Sequence, residues 1–403
     1  MKRTLDLRTG RPVWMAYRAP SVSCSRLRRD ARTDVLVVGM GVSGAMVAES
    51  LTEAGFRVIV LDRRGPLLGS TPASTALVQH EIDMPLTRLT RSLGRGRSEQ
   101  AWRRSRLAVA NLSARIDELG ISCGKVERSS LLLAGNDLGA GGLRAEAEAR
   151  RAAGLYAEYL TRGGLRERFG IARAGAILSP GNLALDPRQL TAGLLLHAIE
   201  GGARCHAPAK ATAIEVGRDR VTVATADGPV VSAAYVILAT GYELTDLVPA
   251  TAHAVISTWA IATRPQPRAL WPEETLIWES SDPYLYLRTT GDGRILCGGE
   301  DEEFADDQAR DALIPAKSAR LQAKLARLFP SVDARPEFAW TGAFGTTRTG
   351  LPFIGKLPQK PRVHAVMGYG GNGITFSRIA AEIVRANLTG ATDADAALFE
   401  FET

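Results

Sequence analysis

The chain has 403 residues and little cysteine: Cys24, Cys123, Cys205 and Cys297 are scattered, and no CxxC pair offers structural zinc spacing. No metal centre is expected. Such thiol usage suits a reducing compartment and sets the expected location as cytoplasmic. No apolar run approaches the ~18 residues that a membrane span requires, and the N-terminus lacks the apolar stretch of a secretory signal. Internal repeats and low-complexity tracts are absent as well. What remains is an ordinary globular composition, 45% hydrophobic and 23% charged, long enough for two domains.

Charge is unevenly placed. The net charge is +7, and residues 1–34 hold Lys2, Arg3, Arg8, Arg11, Arg18, Arg26, Arg28, Arg29 and Arg32 against Asp6, Asp30 and Asp34. Such a leader can be an arm for nucleic acid or an acidic membrane. Basic runs are more often solvated faces, so the expectation is a strap over the body, anchored by Trp14 and Tyr17, with no nucleic-acid partner.

The most informative stretch is DVLVVGMGVSGAMVAESLTEAGFRVIVLD at 34–62. An apolar strand runs into Gly39-x-Gly41-x-x-Gly44, a helix follows, and a second apolar strand ends on Asp62. The first glycine permits a tight turn, the second lets backbone approach a pyrophosphate, and the third lets helix pack on strand. The helix N-terminus presents unpaired N–H groups and about half a positive charge to phosphates. Asp62 at that spacing can accept hydrogen bonds from a ribose. The order of these parts makes this a dinucleotide site.

Downstream, Arg63-Arg64-Gly65-Pro66 leads to Gly69-Ser70-Thr71-Pro72-Ala73-Ser74-Thr75, small and rich in hydroxyls, able to approach a flat ligand closely. Helices are expected over 85–118, 143–160 and 306–328, and another opening at Asp186-Pro187, with Asp as N-cap and Pro in the first turn. Strands are expected at 125–134, 219–226, 230–239 and repeatedly over 253–299. Alternation places Tyr284, Tyr286 and Arg288 on one face. VHAVMGYGGNGITFSRIAAEIVRANL at 363–388 reads as strand, glycine turn and helix. The nucleotide-binding sheet is therefore built from distant segments: the N-terminal part, the region near 236 and the region near 365.

These motifs together resemble the FAD-dependent D-amino-acid oxidase family, which includes glycine oxidase and sarcosine oxidase. The resemblance spans about residues 33–388. It rests on the fingerprint with Asp62, on Gly69-Ser70-Thr71-x-x-Ser74, and on Ala239-Thr240-Gly241. It also rests on Gly350-Leu351-Pro352-Phe353-Ile354-Gly355 and Gly368-Tyr369-Gly370-Gly371-Asn372-Gly373. It implies an α/β fold, a Rossmann-like FAD-binding domain interleaved with an antiparallel-sheet α+β substrate domain. The expected division is a leader at 1–33, FAD-binding segments 34–84, 180–250 and 345–403, and substrate segments 85–179 and 251–344.

The resemblance implies that Gly39, Gly41, Val42, Ser43 and Gly44 hold the FAD pyrophosphate and Asp62 the ribose, with Arg63 and Arg64 beside it. Gly69, Ser70, Thr71, Ser74 and Thr75 would run along the flavin and pyrophosphate, with Ala211, Thr240 and Gly241 on the adenine side. Gly371, Asn372, Gly373 and Ile374 would sit at the pyrimidine end of the ring. There a helix N-terminus stabilises the charge that gathers on reduction. Non-covalent FAD is expected, because no cysteine lies near the last two motifs.

Glycine oxidase and its relatives hold a substrate carboxylate with arginines, one before the GLPxIG block and one before NGI. Here those positions fall on Phe344 or a neighbour, and on Gly371. Arg288 is the first candidate replacement and Arg348 the second. Gln79, His80, Tyr284, Tyr286, Trp340, Phe344 and Tyr369 are the other candidate substrate residues, and Trp259 is a further aromatic candidate. His80 is a candidate catalytic base for an alcohol substrate, or a structural histidine; His364 reads as structural. Residues 284–299 contain no lysine of the kind sarcosine-oxidase-like enzymes use with oxygen, which leaves the electron acceptor as oxygen or a quinone or electron-transfer protein. The expected function is oxidation of a C–N bond of a small amine or amino acid. The alternatives are a 2-hydroxy acid or polyol dehydrogenase with His80 as base, and a flavin-binding partner subunit without turnover.

Overall fold

The apolar run Val35-Leu36-Val37 becomes the centre of a mostly parallel sheet, and all three side chains are fully buried. A strand covered on both faces must be apolar throughout, which is why it shows no alternation. The computed structural model describes residues 6–243, 247–248 and 254–401. In this sheet the strand order is Phe353–Leu357, Lys360–Met367, Val230–Leu238, Ala31–Val38, Val58–Leu61, Arg204–His206. Every pairing from Lys360–Met367 onward is parallel; Phe353–Leu357 adds an antiparallel edge. The chain therefore returns to one sheet from three distant regions.

The helix Val42–Glu53 packs on the helices Pro187–Glu200 and Gly373–Thr389. Asp186 caps Pro187–Glu200, accepting from the N–H groups of Arg188 at 2.7 Å and Gln189 at 3.1 Å, as Asp-Pro chemistry dictates. The helix expected over 143–160 is shorter. It runs Ala140–Ala152, and the chain then forms a short strand, Glu158–Thr161. Charge alternation there hid a stop at Gly154, which takes a left-handed conformation.

The second sheet is large and mixed. Its order is Arg8–Gly10, Pro336–Thr346, Ala254–Thr263, Ile295–Glu302, Leu285–Thr289, Leu276–Glu279, Val126–Leu133, Gly175–Ala184, Leu77–Val78. All its pairings are antiparallel except Leu276–Glu279 with Val126–Leu133. The α/β class with a Rossmann-like sheet thus holds, with that one parallel pairing as the amendment to an antiparallel second sheet. No helix among the described residues is long and apolar enough to cross a membrane.

Residues ahead of the first parallel strand are stitched to the second sheet. Arg8–Gly10 pairs with Gly342, Thr341 and Trp340. Trp14 is 2% exposed, and the Tyr17 hydroxyl donates to Asp292 at 2.8 Å. Arg188 donates to the carbonyls of Trp14 and Tyr17. Of the basic residues in this segment, Lys2 and Arg3 lie outside the described residues, as does the expected boundary near 250.

His364 is fully buried in the strand Lys360–Met367, and neither ring nitrogen has a partner. Burial pushes its pKa down to about 4, assisted by Lys356. The unfolded chain then binds a proton between about pH 6.5 and 4 that the folded chain refuses, so stability is full above that window and falls as pH drops through it. The loss reaches on the order of 3 kcal/mol at the acid end. His364→Leu is expected to flatten this part of a Tm-against-pH curve; an unchanged slope would contradict the assignment.

Candidate active site

Between the two sheets lies a cavity of about 510 Å³. At one end the fingerprint turn forms the wall. Gly39 has φ +120°, and a Cβ on it would lie 2.2 Å from the Ala239 carbonyl oxygen, so only glycine allows this turn to pass the neighbouring strand end. Gly44 does not line the cavity: a Cβ there would lie 1.9 Å from the Gly39 carbonyl oxygen. It is the helix-packing glycine. Gly41, Val42 and Ser43 line the cavity beside Asp62, Arg63 and Arg64, and Ala211, Thr240 and Gly241 face them.

Asp62 is held by backbone. Its carboxylate accepts from the N–H groups of Met40 at 2.8 Å, Arg64 at 2.7 Å and Gly65 at 2.9 Å. These bonds fix the carboxylate against the glycine turn and leave lone pairs for a ligand. Arg63 and Arg64 both pair with Glu243. The Val42 N–H donates to the Thr71 hydroxyl at 3.1 Å, which ties the helix start to the Ser/Thr loop.

Gly69, Ser70, Thr71, Ser74 and Thr75 line the middle of the cavity. Buried donors hold the backbone of this loop. Trp14 Nε1 donates to the Ser74 carbonyl at 2.6 Å, and Trp340 Nε1 to the Ala73 carbonyl at 2.9 Å. Arg288 donates to the carbonyls of Thr75, Ala76 and Leu185 and to that of Thr289. Ala76 has φ +55°, a strained conformation for a residue with a side chain. The Arg288 bond to its carbonyl, 2.8 Å, holds that strain in place.

The far end is formed by Gly371, Asn372, Gly373 and Ile374 with Gln79, Tyr284, Tyr286, Phe344 and Tyr369. Asn372 Nδ2 donates to the carbonyls of Gln79 and Glu81, and the Thr375 hydroxyl donates to the Gln79 carbonyl at 2.7 Å. Residues 79–81 and the glycine turn are therefore tied to each other. Asn372 Oδ1 and Gln79 Nε2 are buried without a protein partner, which marks a place for a ligand with polar edges.

Four sequence expectations are overturned. Arg288 is 3% exposed and spends its guanidinium on four carbonyls, with Trp14 stacked against it at 5.2 Å. It does not face the cavity, so it is not a carboxylate clamp. Burial pushes its pKa down to about 10, opposed by Asp186, and it stays charged at neutral pH. His80 is 2% exposed; its Nδ1 meets Asn182 Oδ1 at 2.8 Å beside Glu81, away from the cavity, and burial lowers its pKa. It is structural, not a base. Trp340 is buried in the core and serves the loop, and Trp259 likewise turns inward, its Nε1 donating to the Arg310 carbonyl.

The sequence reading missed Asp83, Tyr242, Thr258 and Trp278, all of which line the cavity. Asp83 was legible in principle, since it closes the run His80-Glu81-Ile82-Asp83 just beyond the hydroxyl-rich loop. Its carboxylate accepts from the Gly371 N–H at 2.8 Å. It is open to the cavity, yet protein surrounds it on the scale over which charge is felt. Burial therefore raises its pKa, while the Gly371 N–H pulls it back.

Arg288→Met is expected to destabilise the fold by about 3–5 kcal/mol, because buried carbonyls lose their donor. Acidic and simple amine substrates should suffer alike. Denaturant unfolding gives the first quantity, and the ratio of kcat/KM values the second; a selective loss on acidic substrates would restore the clamp.

Comparison with known proteins agrees with this geometry. The family model described as FAD dependent oxidoreductase matches residues 34–386. A putative Rieske 2Fe-2S iron-sulfur protein of Bacillus subtilis (strain 168) is 22% identical over 362 residues, 89% of this chain and 69% of that protein. The gamma-glutamylputrescine oxidoreductase of Escherichia coli (strain K12) is 26% identical over 376 residues, covering 90% and 85%. The crystal structure of glycine oxidase from Geobacillus kaustophilus superposes with a TM-score of 0.74 at 21% identity, covering 92% of this chain and 99% of that one. With its glycine turn, acid-ended strand and hydroxyl-rich loop all lining one cavity, and a family model matched along most of its length, the chain belongs to the FAD-dependent oxidoreductases.

Proposed function

We propose that this protein oxidises a C–N bond of an amine or amino acid with non-covalent FAD. The observation that carries the reading is that a single cavity is lined by the fingerprint turn, the Ser/Thr loop and the 371–374 turn, and closes on aromatic walls. The residues fit the cofactor. The glycine turn is bare where a pyrophosphate would approach, and an orphaned amide donor lies at Gln79 Nε2. In this reading Gly39, Gly41, Val42 and Ser43 hold the pyrophosphate, and Asp62 the ribose. Arg63, Arg64, Ala211, Thr240 and Gly241 border the adenosine. Gly69, Ser70, Thr71, Ser74 and Thr75 run along the middle, and Gly371, Asn372, Gly373 and Ile374 meet the ring. None of the four cysteines lines the cavity, which supports non-covalent binding. The discontinuous division of the chain at 34–84, 180–250 and 345–403 is part of the same proposal.

FAD supplies the two-electron acceptor that takes hydride from the substrate α-carbon. The chain's part is alignment and electrostatics. The helix Gly373–Thr389 turns its positive end toward the far end of the cavity, where charge gathers during reduction. Tyr284 and Tyr286, with ring centroids 5.4 Å apart, and Phe344 orient a substrate and exclude water from one side. The neutral amine loses hydride from carbon and a proton from nitrogen. The resulting imine adds water and splits into a carbonyl compound and ammonia or an amine. No side-chain base is required, which suits a site from which His80 is turned away. The hydroxy-acid or polyol alternative needed His80 as base, and His80 does not line the cavity.

Anaerobic titration of the holoprotein with amines and amino acids is expected to bleach the flavin and release a carbonyl product. Bleaching by a hydroxy acid alone, or by nothing, overturns the reading, and the second outcome favours a partner subunit without turnover. Reoxidation should be faster with a quinone analogue than with oxygen, as the absence of lysine in 284–299 suggests. Asp62→Ala should weaken FAD binding by about tenfold or more, read by flavin fluorescence on reconstitution; unchanged affinity would remove Asp62 from the ribose site.

A further inference from the structure

Two carboxyl groups stand at the far end of the cavity. Asp83 lines it, and Asp301 lies just behind, beside Thr258 and Tyr284. The cationic residues lining the cavity among those described are Arg63, Arg64 and Lys210, all at the fingerprint end with Asp62. The charge of Asp83 is felt by Asp301, Tyr284 and Tyr242, so these groups share one region.

The contact between Asp83 and the glycine turn is tight. A Cβ on Gly371 would lie 3.0 Å from Asp83 Oδ1, and one on Gly370 would lie 2.7 Å from Oδ2. A side chain on residue 371 would crowd the Asp83 carboxylate, which would have to shift from its present place.

A second, independent feature points to a ligand. Asn372 is 5% exposed, and its Nδ2 is committed to two carbonyls. Those two bonds fix the amide orientation, so its orphaned atom, Oδ1, is an acceptor waiting for a donor. The orphaned donors at the far end include Gln79 Nε2, Trp278 Nε1, Thr258 Oγ1 and the Tyr369 hydroxyl, all of them neutral. Around them stand the rings of Tyr242, Trp278, Tyr284, Tyr286 and Phe344. Aromatic faces attract ammonium groups, and carboxylates and amide oxygens accept from them.

We infer that the far end of the cavity selects a substrate carrying a second, positively charged nitrogen remote from the one oxidised, a diamine or polyamine without a carboxylate, with Asp83 as the specificity-determining residue. The inference rests on the amine-oxidation reading above and narrows it. The reacting nitrogen must be neutral to release hydride from its neighbouring carbon; the remote nitrogen keeps its proton and is held between Asp83 and the aromatic wall. A carboxylate at the same distance would meet a like charge in a poorly solvated place.

The test uses the FAD-loaded full chain and chain-matched probes. In anaerobic flavin reduction, 1,4-diaminobutane is expected to act at lower concentration than butylamine, and 4-aminobutanoate at the highest. Asp83→Asn should cost the diamine roughly ten- to hundredfold more than it costs butylamine, and Asp83→Glu, which keeps the charge, should recover part of that loss. Binding is read separately by perturbation of the oxidised flavin spectrum. Butyltrimethylammonium, which has no nitrogen lone pair to drive oxidation, should bind; butanoate should not. Preference for 4-aminobutanoate over the diamine, or equal losses on both amines in Asp83→Asn, overturns the inference and leaves amine oxidation standing. If no amine reduces the flavin, amine oxidation falls, and the two non-reacting probes still decide the charge preference: butanoate binding in preference to the quaternary ammonium sinks it.

Discussion

Everything at the site depends on how the backbone of residues 73–76 is held. Peptide groups beside a ligand must present some polar atoms to it and hide the rest, and a hidden carbonyl without a donor is costly. Here Trp14, Trp340 and Arg288 donate to four successive carbonyls, those of Ala73, Ser74, Thr75 and Ala76. Ser74 and Thr75 themselves line the cavity. One donor comes from the N-terminal segment and two from strands of the second sheet. The loop is therefore the joint through which the two sheets and the leader share one set of hydrogen bonds.

The glycine turn at the other end follows the same logic with the roles divided. Asn372 and Thr375 bond to the backbone of 79–81, and Asp83 takes the Gly371 N–H. The strand end, the turn and the acidic side chain fix each other. Rigid placement of a few polar atoms is what alignment-based catalysis needs. It also explains why large buried residues, Trp340 and Arg288 among them, serve the site without touching its contents.

Much of this was legible in the sequence. The fingerprint, the Asp186-Pro187 helix start and the strands near 236 and 365 are local patterns, set by period, turn chemistry and capping, and the structure keeps them. Alternation correctly put Arg288 on the same side of its strand as Tyr284 and Tyr286. What alternation cannot give is what covers that side. Two residues further along the strand the cavity has ended, and Trp14 and the 74–76 backbone lie over the sheet instead. His80 was misread for the same reason: its partner, Asn182, comes from a strand about a hundred residues away. Asp83 was missed because an acid three residues beyond His80 looks like any solvated side chain until the glycine turn is folded against it.

The bonds that shape the cavity join residues far apart in the chain: Ser43 with Ser377, Trp340 with Ala73, Asn372 with Glu81. Closing such long loops is entropically slow, and proteins dominated by distant contacts fold late and through a demanding nucleus. The cofactor chamber thus closes only when these distant segments have met. A dinucleotide that binds only the finished chamber shifts the folding equilibrium by mass action. Supply of the cofactor, as much as the sequence itself, then governs how much of this chain survives in its working form.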